Sequence, residues 1–329
     1  MTAPPSIPVP AAFAGYRRVP LDGALLLFDR DTGWNAKLEG PETAHLRQRA
    51  PRYVQFAITN RCNLACTFCS RDLHATSGWT ADTAFALLRD LAAAGVVEVA
   101  FGGGEPFAFP GFVELVRRLY RETPLAVSIT TNGTLLDDVR MAALRGCIGQ
   151  LRLSLYDDTD WPGRVEGLRR HGVRFGVNYL VTPPRAATLH GTVLDLAARG
   201  CDDVLLLTYK GRDASLHLSE TETRRLADDV TVLHRALGAR VRLGLDVCFG
   251  ERMATVPQIL RNIDCGAGRD FVVVTSDRRL APCSFHDVAV PFADAAELLA
   301  LWARGPAGFA APAPQPGCAR RSGIGLGSP

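Results

Sequence analysis

The sequence lacks three features that would place it in large classes of proteins. No apolar run reaches the roughly 18 residues that a membrane span needs. The N-terminus has no basic segment followed by a solid apolar stretch, which argues against a signal peptide. The net charge of +3 and the pI of about 8.4 are too mild for a nucleic-acid surface, and arginine is spread along the chain. We therefore expect a cytoplasmic protein that binds neither membranes nor nucleic acids.

Cysteine, in contrast, is abundant, with nine residues in a chain of 329. In a small secreted protein this number would indicate disulfide bonds, whereas in the cytoplasm the thiols are expected to be reduced. Three of them form the pattern CxxxCxxC at Cys62, Cys66 and Cys69. Three closely spaced thiolates without a fourth indicate a metal centre with one open position, where chemistry can occur. The protein is therefore expected to be an enzyme.

Short apolar runs alternate with amphipathic stretches from Tyr53 onward. This alternation predicts parallel strands joined by right-handed helical crossovers. Six such units are fewer than a closed (βα)8 barrel requires, so we expect an α/β fold with an open, partial (βα)6 TIM-type barrel. The predicted strands are 54–58, 97–101, 125–130, 151–155, 174–181 and 204–208. The predicted helices are 80–94, 111–121, 135–145, 162–171, 188–199 and 219–237.

The regions on either side of the predicted barrel have a different pattern. Residues 1–50 are expected to form an N-terminal arm with one short strand, 21–29. Residues 51–237 form the predicted barrel. After Leu237 the pattern changes to two short apolar runs and one short helix, with glycines and cysteines between them. We expect residues 238–329 to form a small auxiliary module.

The cysteine motif carries a resemblance to a known family. Cys66 and Cys69 share a face if residues 65–70 begin a helical turn, and Cys62 lies one turn earlier, so the three sulfurs can converge. With Phe68 before the last cysteine, the motif resembles the CxxxCxΦC of the radical S-adenosylmethionine (radical SAM) superfamily, in which Φ is aromatic. The resemblance implies a [4Fe–4S] cluster whose fourth iron is open to S-adenosylmethionine (SAM). A zinc site or buried structural cysteines are the alternatives.

The ends of the later strands extend this resemblance. The second predicted strand ends in three glycines, which permit unusual φ values and a close approach of a ligand, although they also form ordinary turns. In the family the corresponding GGEP segment receives the amino group of SAM, which implies that role for Gly103, Gly104 and Glu105. Polar residues on the next strands match family contacts to the rest of SAM, with ordinary capping as the alternative. These are Thr130, Asn132, Ser154 and Asn178, and the resemblance also implies a SAM contact for Phe68 of the cysteine motif.

Four of the other six cysteines lie in the predicted auxiliary module. A hairpin over 271–280 can bring Cys265 and Cys283 together. This stretch resembles the SPASM/twitch extension of the family, which carries an auxiliary [4Fe–4S] cluster. The CxxC…CxxxC block of a full SPASM domain is absent, and Arg278 stands where the pattern prefers glycine, so we expect one auxiliary cluster. A zinc site or structural cysteines are the alternatives. The implied ligands are Cys248, Cys265, Cys283 and Cys318.

The remaining cysteines, Cys147 and Cys201, both follow Arg-Gly at the end of a helix and precede a strand. That position is the end of the barrel opposite the active loops, so we expect core thiols, with a hydrogen-atom donor as the lesser alternative.

The resemblance also implies a reaction. The cluster would cleave SAM to methionine and a 5′-deoxyadenosyl radical, which would take a hydrogen atom from the substrate. This step needs a low-potential electron donor, so we expect a flavodoxin or ferredoxin as partner. The sequence alone identifies no catalytic acid or base.

The substrate is less well defined by the sequence. About 50 residues precede the first barrel strand, fewer than the separate peptide-recognition domain of many peptide-modifying relatives requires. We therefore expect a small polar natural-product intermediate, such as a sugar, aminocyclitol or nucleoside, to be oxidised or decarboxylated. The alternatives are a precursor peptide that is crosslinked or epimerised, and a non-catalytic electron-transfer protein. Polar residues near the expected barrel mouth are either substrate contacts or ordinary surface residues: Lys210, Arg212, Asp213, His217 and His286.

Overall fold

Two β-sheets organise the chain in the computed structural model, which describes residues 7–69, 71, 75–256, 265–286 and 288–305. No helix in this part of the chain combines the length and the apolar character that a bilayer span requires.

The smaller sheet is antiparallel and lies before the barrel. Its strands are β1 (Arg17–Leu21), β2 (Ala24–Phe28) and β3 (Asn35–Glu39). The single predicted strand 21–29 is divided by a turn at Gly23, whose φ of +70° favours glycine. All five residues of β2 are buried. The sheet packs against Val97 and Ala126, which lie at the N-terminal ends of two barrel strands, and therefore covers that end of the barrel.

The larger sheet has ten strands and contains the partial barrel. In chain order its strands are β4 (Tyr53–Thr59), β5 (Glu98–Gly103), β6 (Ala126–Thr131), β7 (Gln150–Ser154), β8 (Phe175–Val181), β9 (Asp203–Thr208), β10 (Arg242–Leu245), β11 (Phe271–Val274), β12 (Arg279–Ala281) and β13 (Val290–Pro291). Their order in the sheet is β10-β9-β8-β7-β6-β5-β4-β11-β12-β13, and β4 to β10 are parallel. The predicted α/β fold class is confirmed.

Helices join the parallel strands and cover the sheet. They are α1 (Ala81–Ala94), α2 (Phe112–Glu122), α3 (Asp138–Leu144), α4 (Trp161–Arg170), α5 (Pro183–Ala198), α6 (Glu220–Leu237) and α7 (Ala295–Ala303). Capping side chains fix where several begin: Thr80 caps α1, Asp137 caps α3 and Ser219 caps α6. Helix α5 begins five residues earlier than predicted, because prolines fit the first turn of a helix.

The two apolar runs after Leu237 both join the larger sheet. Strand β10 pairs in parallel with β9, and β11 pairs in parallel with β4, so the runs extend opposite edges of the barrel sheet. Strand β12 then forms an antiparallel hairpin with β11. The auxiliary region is thus built onto the barrel, and the predicted boundary at residue 238 stays a prediction.

The turn of this hairpin holds the segment that leads into α1. Arg278 has a φ of +63°, the left-handed region in which glycine is favoured, and its guanidinium lies 4.7 Å from the ring centroid of Trp79. The Nε1 atom of Trp79 donates to the carbonyl of Thr275 (2.9 Å), and the amide of Gly78 donates to the carbonyl of Ser276 (2.7 Å). The hairpin therefore anchors the end of the loop that carries the three motif cysteines.

Candidate active site

The three motif cysteines lie in the loop that follows β4, at the C-terminal end of the barrel strands. They line one cavity of about 130 Å³. A turn in which the amide of Cys69 donates to the carbonyl of Cys66 (3.0 Å) brings the second and third cysteines together. Burial raises the pKa of the Cys66 thiol, and the neighbouring Cys69 and Cys62 raise it further. A set of soft thiolate ligands around one cavity fits an iron–sulfur cluster.

Within the described ranges, no three Cys, His, Asp or Glu side chains converge closely enough to hold a single metal ion.

Two of the three glycines that end β5 let it lie directly against the cysteine loop. A Cβ atom on Gly103 would lie 2.5 Å from the carbonyl oxygen of Thr59, and one on Gly104 would lie 2.2 Å from that of Arg61. The amide of Gly104 donates to the backbone carbonyl of Thr59 (2.7 Å), and the amide of Glu105 donates to that of Arg61 (2.8 Å). These glycines are needed for backbone packing, a role that the sequence analysis did not assign to them.

Gly102 differs from its two neighbours. A Cβ atom there would meet nothing within 4 Å, and Gly102 lines both the cysteine cavity and a larger adjoining cavity. A side chain at this position would project into empty space at the site. The sequence analysis did not select Gly102, although its place as the first of three consecutive glycines was a usable signal.

Glu105 joins the ends of β5 and β6. Its carboxylate is buried and accepts hydrogen bonds from the Thr131 hydroxyl (2.7 Å), the Asn132 amide (2.8 Å) and the Phe107 amide (3.1 Å). Burial raises the pKa of Glu105, and the three donors oppose this rise. Glu105, which the sequence predicted to bind the amino group of SAM, thus already accepts three hydrogen bonds from the protein.

Asn132 steadies the cysteine loop from the end of β6. Its Nδ2 atom donates to the Asn63 side chain (3.1 Å) and lies 3.8 Å from the Sγ atom of Cys62. Its Oδ1 atom accepts a hydrogen bond from the Thr134 amide (2.9 Å). Asn132, which was predicted to contact SAM, therefore also contacts the first motif cysteine and helps to position it.

Four other residues predicted to contact SAM line the two cavities. Phe68, Thr130 and Ser154 line both the cysteine cavity and the larger one, whereas Asn178 lines only the larger one. The Oδ1 atom of Asn178 is buried and has no hydrogen-bond partner in the described part of the chain. Buried acceptors are nearly always satisfied, so this atom fits a ligand that brings a donor.

Tyr156 is a further site residue that the sequence analysis did not select. Its ring centroid lies 5.5 Å from that of Phe68, and the residue lines both cavities. Burial and the nearby thiols raise the pKa of Tyr156 to about 12, while a hydrogen bond with Ser154 opposes the rise. Its place just after β7 was the signal that could have identified it.

The larger cavity, of about 400 Å³, lies across the barrel mouth. Residues from both edges of the open barrel line it, including Lys210 after β9 and Phe285 after β12. The Nζ atom of Lys210 lies 5.0 Å from the ring centroid of Phe285. Ser284 donates to the side chain of Gln55 on β4 (2.9 Å). The two edges therefore approach each other around a space that adjoins the cysteines.

Of the polar residues predicted near the mouth, Lys210 lines the larger cavity and pairs with Asp246. The other four line neither cavity in the part of the chain that the structure describes: Arg212, Asp213, His217 and His286. His217 instead packs edge-on against Tyr209, with ring centroids 4.9 Å apart.

The structure describes five of the remaining six cysteines, and their division into cluster ligands and core thiols stays a prediction. Cys248, Cys265 and Cys283 are half-buried, and Cys318 lies outside the described residues. The amide of Cys248 donates to the carboxylate of Asp246 (3.1 Å). Cys201 is buried before β9, where burial raises the pKa of its thiol to about 11, and Cys147 is half-buried before β7.

Comparison with known proteins places these features in a family. The sequence profile described as Radical SAM superfamily matches residues 56–159, which contain the cysteine loop and the ends of β5, β6 and β7. A PqqA peptide cyclase of Gluconobacter oxydans is 28% identical over 283 residues, covering 77% of this chain and 76% of the relative. A GTP 3′,8-cyclase of Chlorobaculum tepidum is 27% identical over 276 residues, covering 75% of this chain and 82% of the relative.

Solved structures agree on the fold. SuiB of Streptococcus suis superposes with a TM-score of 0.68 at 16% identity, covering 87% of this chain and 86% of SuiB. SuiB bound to its precursor peptide SuiA has the same TM-score at 14% identity, covering 87% of this chain and 88% of that one.

These comparisons correct the expected partner. The prediction of a small-molecule substrate was wrong: one relative is named for a peptide, and SuiB has been solved with a precursor peptide bound. The prediction rested on the short stretch before β4. That stretch covers the opposite end of the barrel from the cavities, so its length does not limit what the barrel mouth admits. The predicted flavodoxin or ferredoxin partner stays a prediction.

The cysteine cavity, the parallel barrel and the matched profile lead to the same assignment. The family uses a [4Fe–4S] cluster and SAM, which suit the thiols and the adjoining cavity. This chain is an enzyme, and its residues 56–159 form a radical SAM domain.

Proposed function

We propose that this protein modifies a ribosomally made precursor peptide by radical chemistry. The observation that carries the proposal is the similarity to a PqqA peptide cyclase over three quarters of both chains. The cavity at the barrel mouth supports it, because its lining is largely apolar and aromatic with a few polar groups, as is usual for sites that enclose a side chain. Crosslinking and epimerisation are the two outcomes in view.

The residues around the cysteines have separate tasks in this proposal. Cys62, Cys66 and Cys69 would hold the [4Fe–4S] cluster. Glu105 and Asn132 act as positioning residues, because they tie the ends of β5 and β6 to the cysteine loop. When bound, the cluster and SAM supply the 5′-deoxyadenosyl radical that takes a hydrogen atom. The residues that would contact SAM are Phe68, Gly102, Gly103, Gly104, Thr130, Ser154, Tyr156 and Asn178.

The larger cavity would receive the peptide beside the part of SAM that Asn178 would contact. It adjoins the cysteine cavity and shares with it Phe68, Tyr156 and the first two glycines of the β5 end. A side chain that enters from the barrel mouth would therefore meet SAM at the boundary between the two spaces. The rings of Phe68 and Tyr156 at this boundary would exclude water, which protects a reactive radical from side reactions.

A second iron–sulfur cluster beside this cavity is part of the proposal. Its ligands would be Cys248, Cys265, Cys283 and Cys318. The contacts of Lys210 support a position of Cys248 and Cys283 close to the same site. Lys210 pairs with Asp246, whose carboxylate also accepts from the Cys248 amide, and it lies against Phe285, two residues after Cys283.

Iron counting tests the second cluster. A variant that lacks Cys62, Cys66 and Cys69 should still bind about half of the iron of the wild type after anaerobic reconstitution. Residual iron near zero would contradict the second cluster and leave the first unaffected.

The proposed function is tested with anaerobically reconstituted protein, reductant, SAM and the short peptides encoded next to its gene. We expect 5′-deoxyadenosine together with a mass change in one peptide. Cys66→Ala should abolish both products, and Cys147→Ala should retain them, since Cys147 lies before β7 at the far end of the barrel. Formation of 5′-deoxyadenosine with no change in any of the peptides would contradict the proposal.

A further inference from the structure

The larger cavity is lined by two cations, Arg71 and Lys210, and by no carboxylate among the described residues. Lys210 is balanced by Asp246, which lies outside the lining. Arg71, which is half-buried, forms no ion pair with a carboxylate in the described part of the chain; the Cys69 thiol lies close enough to act on its charge, but that thiol would be taken up by the cluster. Charges that leave water are normally paired, so a filled cavity is expected to bring a negative group to Arg71.

The location of Arg71 indicates which molecule brings that group. Its amide lies 3.5 Å from the Sγ atom of Cys69, so the residue follows directly on the cysteine loop. Arg71 lines the larger cavity, with Tyr209, Lys210 and Phe285, and not the smaller cavity that contains all three motif cysteines. It therefore faces the space in which the peptide is proposed to bind.

We infer that Arg71 binds a carboxylate of the substrate, so that the enzyme selects peptides with an Asp or Glu side chain in the segment that fills the larger cavity. This inference rests on the proposed function. A guanidinium suits the task because its planar fork binds both carboxylate oxygens, which a lysine ammonium cannot do. The aromatic rings of Phe68, Tyr156 and Phe285 would flank the ion pair and shield it from water.

Peptide selection tests the inference directly. Full-length reconstituted protein with SAM is immobilised under anaerobic conditions and exposed to a pool of short randomised peptides, N-acetylated and C-amidated, so that side chains supply the only carboxylates. Retained peptides are sequenced by mass spectrometry. The wild type should enrich Asp or Glu at one position by about tenfold, as a charge-assisted hydrogen bond predicts. Arg71→Gln should lose this enrichment, and Arg71→Lys should keep part of it.

Arg61→Gln is the matched control. Arg61 belongs to the same loop, but its side chain is exposed and lines neither cavity, so this variant should select peptides as the wild type does. Iron content after reconstitution confirms that each variant has folded and holds its clusters.

Three outcomes would overturn the inference. If Arg71→Gln enriches acidic peptides as strongly as the wild type, Arg71 does not select them, and the proposed function is unaffected. If equilibrium dialysis shows weaker SAM binding by Arg71→Gln while peptide selection is unchanged, the guanidinium serves the SAM carboxylate instead. If the wild type retains no peptide, the inference and the proposed function both fail.

Discussion

The Nδ2 atom of Asn132 lies 3.8 Å from the Sγ atom of Cys62, so the end of β6 touches the first cysteine of a loop that follows β4. The same amide donates to Asn63. The sulfurs are thus positioned by the neighbouring strand ends as well as by their own loop. Support of this kind from outside the ligand set usually affects how tightly a metal group is held.

Asn132→Ala should weaken cluster binding, because it removes the contact with Cys62 and the hydrogen bond to Asn63. We expect a loss of about tenfold or more in cluster affinity. The measurement is iron per protein after reconstitution and gel filtration. Asn35→Ala is the control, since Asn35 lies exposed on β3 at the other end of the molecule. Equal iron in the two variants would contradict the bracing role.

Alanine substitutions of Gly102 and Gly104 should have different effects. Gly104→Ala should lower the free energy of unfolding by about 1–3 kcal/mol, because its Cβ would collide with the carbonyl of Arg61. Gly102→Ala should leave stability nearly unchanged, because nothing lies within 4 Å of its Cβ, but it should weaken SAM binding by partly filling the cavity. Denaturant unfolding and equilibrium dialysis measure the two effects. Similar losses of stability in both variants would contradict this assignment.

Glu105 should make stability depend on pH. Burial raises the pKa of Glu105 above its ordinary value of 4.5, so the folded protein holds a proton that the unfolded chain has already released. Its contribution to the free energy of unfolding should therefore fall as pH rises from about 4.5 through the raised pKa, and then level off. Glu105→Gln cannot ionise and should lack this component. Identical pH profiles of urea unfolding in the two proteins would contradict the shift.

Arg278 combines an unfavourable backbone with a favourable side-chain contact. Arg278→Ala keeps the left-handed φ and loses the stacking on Trp79, so it should destabilise the protein by about 0.5–2 kcal/mol. Arg278→Gly also loses the contact but relieves backbone strain of about 1 kcal/mol, so it should lie closer to the wild type. Thermal unfolding ranks the variants. Equal destabilisation by Arg278→Ala and Arg278→Gly would show that the positive φ of Arg278 does not lower the free energy of unfolding.

The sequence predicted the barrel well because its signals are local. Alternating apolar and amphipathic segments give the strand and helix types, and the spacing of Cys62, Cys66 and Cys69 gives one cluster of thiols. The edge strands were harder, since the short apolar runs 241–247 and 271–275, within which β10 and β11 lie, carry no information about the partner strand. Their places beside β9 and β4 are set by tertiary packing.

The site was predicted in part for the same reason. A glycine run indicates a special backbone, but only the packing distinguishes Gly104, which must fit against Arg61, from Gly102, which faces a cavity. Tyr156 and Arg71 were missed because an isolated aromatic or charged residue next to a motif has no periodicity. Their relevance follows only from the cavity that they line.

The most direct test of the central claim is the transfer of deuterium from a labelled precursor peptide to SAM-derived 5′-deoxyadenosine under anaerobic, reducing conditions. If the enzyme takes a hydrogen atom from a peptide, mass spectrometry should detect deuterium in 5′-deoxyadenosine and a matching change in the peptide. Unlabelled 5′-deoxyadenosine beside a fully labelled peptide that is modified would contradict the account.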